Sequence, residues 1–312
     1  MEEIFKNFTK KNNMNFLLLG AGRRVSFIQH LMSNNINVYC YEYEEDTAAS
    51  KVCKSFKGHK WGSSKIVEHI SSIIEENNID CIIPLQDEAI LFLSQNKKNL
   101  KTFCLCPNAY SSKIAFDKKE FEIFIKNNFN SLYPDSEEIF PKFAKPRFGN
   151  GSKGICVLRD KNELSKINTE NFVIQKFIEG GEEYSVDCFF SNGFLIDCVP
   201  RIRLRVANGE VLDSQTFESK FLHQACRDIG EIIEYDGPAC IQFIKDKKTE
   251  KIYIMEINAR FGGGCILSLK SGFNMIKCIK EKIEGKNFSH IKGSWKKNLL
   301  MKRVNAEFYF EK

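Results

Sequence analysis

The chain has 312 residues, 43% hydrophobic and 28% charged, enough for two or three domains with a sizeable core. Its net charge of +6 comes largely from dispersed lysines, with no basic stripe interleaved with aromatics, so no nucleic-acid partner is expected. No apolar run approaches the ~20 residues that span a bilayer, Met1 to Asn15 is polar where a signal core would be apolar, and the 12 cysteines show no paired CxxC spacing; a reduced cytoplasmic protein without membrane contact is expected.

Asn15 to Leu19 reads as a short apolar strand. It is followed by Gly20-Ala21-Gly22-Arg23-Arg24, a helical pattern over Val25 to Met32 and a second strand over Asn37 to Tyr43. Strand, glycine turn, helix, strand opens a parallel α/β unit. The turn can offer backbone N–H groups to an anion, but the third glycine of a dinucleotide fingerprint is replaced by Val25. A structural turn and a substrate-binding loop both stay open. Lys65 to Glu76 is helical and Asp80 to Pro84 is a strand, with Gln86-Asp87-Glu88 at its carboxyl end, where open α/β sheets bind ligands. Asp87 and Glu88 can hold an amine substrate there, and Asp87 can equally cap a helix over Glu88 to Ser94. A short strand over Phe103 to Cys106 closes the unit near Ser111.

Asp117, with Glu120 three residues on, starts a helix in the manner of a capping box, with Phe121, Phe124 and Ile125 as its apolar face. Lys118 falls in the first turn, where the helix dipole disfavours a cation, so a phosphate is one reason for it. Phe143 to Pro146 and Ile155 to Leu158 are strands around Arg147-Phe148-Gly149-Asn150-Gly151-Ser152-Lys153-Gly154. Such glycines let backbone N–H groups approach phosphate oxygens, with Lys145 in reach of the same charge. The Gly-Lys-Ser/Thr ending of a Walker loop is missing, and a plain glycine hairpin is the alternative.

Phe172 to Phe177 and Tyr184 to Phe190 are extended. Val199 to Val206 alternates, with Arg201, Arg203 and Arg205 on one face, turned to solvent or to anions. A long helical stretch over Ser214 to Glu234 follows, then a strand over Pro238 to Ile244 and its antiparallel partner, Lys251 to Asn258. A helix over Asn274 to Glu284 and an edge strand over Arg303 to Phe310 complete the pattern. Within Ile252 to Gly264, Glu256 and Asn258 share a strand face and Arg260 can continue it. Carboxylate and amide oxygens suit magnesium, a guanidinium suits a phosphoryl group, and Gln242 on the neighbouring strand can bring a third oxygen.

Taken in order, these motifs resemble the ATP-grasp superfamily from about Asn15 to Lys286, and most of all the synthetase units of the carbamoyl phosphate synthase large subunit and related amino-acid ligases. The resemblance implies an α/β protein, α+β in its ATP-binding part: an N-terminal Rossmann-like parallel domain (1–112), then a two-lobed ATP-grasp fold with a small lid subdomain (113–178) and a large C-terminal subdomain (179–312). It implies ATP with magnesium or manganese, and an ADP-forming carbon–nitrogen ligase that joins a small-molecule carboxylate to an amine through an acyl-phosphate. Other ATP-grasp chemistry (carboxylation or kinase-like phosphorylation) and a non-catalytic ATP-binding module are the alternatives; a homodimer is a further expectation. By position, Lys118 and Lys145 match the phosphate-binding basic residues. Gly149, Gly151, Ser152 and Gly154 match the lid over the phosphates, and Gln175, Lys176, Phe177 and Ile178 the adenine-reading segment. Glu183 matches the ribose carboxylate, Gln242, Glu256 and Asn258 the metal ligands, and Arg260 the arginine acting on the transferring phosphoryl group. Arg201, Arg203 and Arg205 are candidates to hold the acyl substrate's phosphate or a second carboxylate. Gln242 departs from the acid of many members, as the carbamoyl phosphate synthase units do, and Gln175 replaces a glutamate. The length argues against the tandem synthetase itself.

Overall fold

A computed structural model describes residues 13–136, 139–149, 151, 153–286, 288, 293–304 and 309. Its first sheet is built from β1 (Met14–Leu19), β2 (Ile36–Glu42), β3 (Lys54–Lys57), β4 (Cys81–Pro84) and β5 (Phe103–Cys104), all parallel, in the order β3-β2-β1-β4-β5. β4 is buried along its whole length and β1 along most of it, which is why both read as unbroken apolar runs. Helices α1 (Val25–Met32), α2 (Ile66–Asn77) and α3 (Asp87–Asn96) cover the sheet. Leu17, Leu19, Ile70 and Phe92 share one core on one face. The opposite face is cored by Phe16, Leu18 and Ile28 together with Phe273, Met275 and Ile279 from the far end of the chain, contributed by α9 (Met275–Ile283) and the segment before it.

After α4 (Ala109–Phe116) and α5 (Lys118–Asn128) comes a small antiparallel sheet of β6 (Lys142–Pro146), β7 (Cys156–Leu158) and β8 (Phe172–Lys176), ordered β7-β6-β8, with the short α6 (Lys161–Ser165) in its connection. The third sheet holds β9 (Glu182–Ser191), β10 (Phe194–Ala207), β11 (Glu210–Thr216), β12 (Gly237–Lys245), β13 (Ile252–Asn258) and β14 (Leu300–Lys302), in the order β13-β12-β9-β10-β11-β14. The β9–β10 and β10–β11 turns are both Asn-Gly pairs with positive φ at each residue, the geometry that a two-residue hairpin requires. α7 (Lys220–Ile232) packs Leu222, Cys226 and Ile229 on this sheet, and α8 (Cys265–Ser271) follows the glycine run after β13.

Several local expectations change. The helix expected from Ser214 begins only at Lys220: Ser214 to Thr216 belongs to β11, where the Ser214 hydroxyl donates to the Ile202 carbonyl, and Ser219 caps the helix by accepting from the Leu222 amide. The late edge strand lies earlier, at Leu300–Lys302; Arg303 and Val304 are outside it, and residues 305–308 and 310 lie outside the described residues. Asp87 does not cap α3 but is its first residue. Asp117 does cap α5, yet Glu120 does not close the box, because its carboxylate pairs with Lys113 at 2.7 Å.

Candidate active site

The site is built on the β12–β13 pair. Gln242 stands directly opposite Glu256 in the register and Cys240 opposite Asn258, with a bulge after Gln242 that leaves Met255 without a ladder partner. The bulge turns the Met255 carbonyl outward, where it accepts the ammonium of Lys145 at 2.7 Å. Glu256 Oε1 accepts from the Asn258 amide at 2.9 Å, Asn258 Oδ1 accepts from Arg260 Nη2 at 3.0 Å, and Gln242 Oε1 accepts from Arg203 Nη1 at 2.9 Å. Three side-chain oxygens, each with remaining lone-pair capacity, thus converge with a lysine and an arginine around them. Only one of the three is acidic, and among the described residues no group of three His, Cys, Asp or Glu side chains gathers to hold a metal.

Lys145 lies on β6, in the small sheet, and is buried. Burial lowers its pKa to about 8; Glu256 opposes that shift and Lys118 adds to it. Lys118 Nζ donates to the Gly149 carbonyl at 2.7 Å, and the Asp117 carboxylate takes both Nε and Nη2 of Arg147, at 2.8 and 2.6 Å. The start of the glycine loop is therefore tied to the α5 N-terminus from both sides. Burial disfavours the Asp117 charge, but the Arg147 hydrogen bond and the Lys119 amide outweigh it and hold the carboxyl below its usual range. Gly151 rests on the β10–β11 turn, where a Cβ on Gly209 would come within 2.9 Å of its backbone. Gly154 turns back towards Pro146, and Ser152 lies outside the described residues.

Gln175 on β8 is 1% exposed and its Oε1 has no hydrogen-bond partner. A buried orphan acceptor is costly unless something fills it, and an exocyclic amine such as that of adenine would. Lys176 instead pairs with Asp246 at 2.9 Å. Phe177 and Ile178 continue from β8, half-buried. Glu183 is exposed and pairs with Arg203 at 3.0 Å.

The three arginines of β10 do not act as one face. A register shift lies between Arg203 and Arg205, and each has its own carboxylate. Arg201 is fully buried on Asp187, with Nε 2.6 Å from Oδ2, and Ser268 donates to the same oxygen at 2.5 Å. Arg205 pairs at the surface with Asp213. Of the three, only Arg203 reaches the Gln242–Glu256 face, bridging Gln242, Glu183 and the Gly209 carbonyl.

The N-terminal sheet contributes from its carboxyl ends. The Ala21 and Gly22 amides donate to Glu42 Oε1 at 2.7 and 3.1 Å, so the glycine turn cradles the protein's own carboxylate. Asp87 Oδ1 accepts from Arg260 Nε at 2.7 Å across 173 residues. Arg24 donates to the carbonyls of Phe261 and Leu85 at 2.8 and 3.2 Å. None of these three contacts has a signal in local spacing; all join segments distant in sequence.

Lobes from two antiparallel sheets closing on a carboxylate–amide strand, behind a parallel α/β domain, define the ATP-grasp fold, and this chain has it. Residues 168–306 match the family described as ATP-grasp in the biosynthetic pathway with Ter operon, and residues 16–104 match the PylC-like N-terminal domain. Among solved structures, the chain is similar to the biotin carboxylase domain dimer of Hydrogenobacter thermophilus 2-oxoglutarate carboxylase in complex with MgADP and bicarbonate (TM-score 0.71, 16% identity, covering 91% of this chain and 73% of that one). It is also similar to the L-amino acid ligase of Bacillus licheniformis (0.69, 15%, 88% and 75%) and to the N5-carboxyaminoimidazole synthetase of Staphylococcus aureus (0.66, 15%, 91% and 81%). No curated protein matches the sequence.

Proposed function

We propose that this protein is an ATP-dependent ligase that joins a small-molecule carboxylate to an amine, releasing ADP and phosphate. The observation that carries the reading is the convergence of Gln242, Glu256 and Asn258 with Lys145 and Arg260 on one strand-pair face. A pure nucleotide binder has no need of that whole set. Solved ligases and carboxylases sharing the fold support an enzyme.

In this reading Gln175 accepts the adenine amine through its orphan Oε1, Lys176, Phe177 and Ile178 flank the base, and Glu183 holds the ribose hydroxyls. Lys118, Lys145 and the loop residues Gly149, Gly151 and Gly154 face the phosphates. Gln242, Glu256 and Asn258 would hold magnesium or manganese, which would supply charge neutralisation at the phosphates. Arg260 stabilises the γ-phosphoryl group as the substrate carboxylate attacks it, and an amine then displaces phosphate from the acyl-phosphate. Phosphoryl transfer depends mainly on such positioning and charge. Arg203 is assigned to the acyl substrate, whereas Arg201, fully buried with Nε and Nη2 on Asp187 and Nη1 unpartnered, is assigned to supporting the fold beneath it. The likeness to carbamoyl phosphate synthase units rests on Gln242. Cytoplasmic location, a homodimer and the 1–112, 113–178 and 179–312 division complete the proposal; among the described residues no helix is long and apolar enough to cross a membrane.

The test is ADP release from magnesium-ATP across pooled carboxylates, bicarbonate included, and amines. Glu256→Gln abolishes release while the circular dichroism spectrum is unchanged; wild-type release from that variant would sink the metal assignment. Release with bicarbonate alone favours carboxylation. ATP binding with no release from any pool favours a non-catalytic module.

A further inference from the structure

The Asp87–Arg260 pair lies where the two halves of the molecule meet, and its geometry is that of an orienting contact. Asp87 opens α3 at the carboxyl end of β4, and its side chain is 21% exposed. Arg260 is 12% exposed and has its guanidinium plane fixed at two points: Nε on Asp87 at 2.7 Å and Nη2 on Asn258 at 3.0 Å. One anchor belongs to the N-terminal domain and the other to the metal-ligand strand. Among the described residues Nη1 makes no hydrogen bond, which leaves one edge of the plane for an incoming oxygen. Arg24 locks the two backbones that carry the pair, through the carbonyls of Leu85 and Phe261. It is half-buried beside Arg260, and desolvation and that neighbouring cation lower its pKa to about 10. Two guanidinium groups packed together repel each other unless an anion lies with them, and Asp87 is the carboxylate that acts on both.

We infer that Asp87 is the positioning residue for Arg260, so that the N-terminal domain completes the phosphoryl-transfer site from outside the ATP-grasp lobes. This rests on the reading that Arg260 acts on the transferring phosphoryl group. Asp87 sets the angle of the guanidinium, and Arg24 fixes the distance between the domains. A plain interdomain salt bridge would change stability alone. A positioning residue changes the site's preference for a phosphoryl group in transfer over ground-state nucleotide.

Isothermal titration of the full chain distinguishes the two, with MgADP as one ligand and MgADP plus aluminium fluoride, a mimic of the transferring phosphoryl group, as the other. The wild type binds the fluoride complex more tightly than MgADP. Arg260→Ala loses that extra tightness, and Asp87→Asn loses at least roughly tenfold of it, less than the ~10²–10³ that outright removal of such a group costs. MgADP affinity in both variants stays within about twofold, the mark of a group acting only in transfer. Asp87→Glu restores part of the loss. Where Asp87→Asn does not fold, Asp87→Ser replaces it, with the same outcome expected. If Asp87→Asn keeps the wild-type preference while Arg260→Ala loses it, Asp87 is an interdomain strut and the inference falls alone. If Arg260→Ala also keeps it, or the wild type shows no preference, the reading of Arg260 falls and takes this inference with it.

Discussion

Lys145 and Gln175 show what burial does to single residues in this site. The free-protein pKa of Lys145 is about 8, lowered first by burial. Above that pH the side chain is neutral, and binding a phosphate must restore its proton. Nucleotide affinity therefore falls as pH rises through 8, and MgADP binding takes up protons there; titration in buffers of different ionisation enthalpy measures the uptake, and Lys145→Met removes it. Stability has the opposite sign. Between about 8 and the unfolded value of 10.5 the unfolded chain holds more protons, so folding gains as pH rises. Gln175 carries a different cost, a buried oxygen with no partner. Gln175→Met removes it at similar volume, so unliganded stability changes by less than about 1 kcal/mol, whereas discrimination of ADP from inosine diphosphate is lost; thermal melting and titration with both nucleotides check the two halves. The placing of Glu256 beside Asn258 was legible because strand side chains alternate with a fixed period. Asp87 on Arg260 and Glu42 on the glycine turn were not, since nothing in a local window reports a contact made across sheets.

Among elements, legibility followed length and apolar continuity. β1 and β4 declare themselves as buried parallel strands. β11 does not: its Ser214, Gln215 and Thr216 are polar and run towards a strongly amphipathic helix, so only their pairing with β10 reveals the strand. The two Asn-Gly hairpins of the large sheet form a natural control for the glycine loop. Gly193 and Gly209 share positive φ, +83° and +74°, but only Gly209 lies against Gly151. Alanine at either position strains the turn by roughly 1–2 kcal/mol. Gly209→Ala weakens MgADP binding as well, by displacing the loop, while Gly193→Ala lowers only the melting temperature; a titration and a melt of each variant decide it. Equal nucleotide affinity in the two variants would remove the Gly209–Gly151 contact from the nucleotide site.

At the scale of the molecule, arginine is scarce beside lysine, yet Arg23, Arg24, Arg260 and Arg303 lie around the junction of the two halves. At that junction the planar, persistently charged group suits positions where geometry has to be held. The same junction is a core as well as a site: the parallel sheet shares one of its two apolar layers with Phe273, Met275, Ile276 and Ile279. That sharing has a consequence during synthesis. The strands of the parallel sheet leave the ribosome early relative to Phe273, Met275, Ile276 and Ile279, which complete the cover of their second face and are made more than a hundred positions later. At about 5–20 residues per second, the wait is on the order of ten seconds or more. For that interval the nascent sheet has α1 on this face but not its C-terminal cover, and the remaining apolar surface is a client for ribosome-associated chaperones.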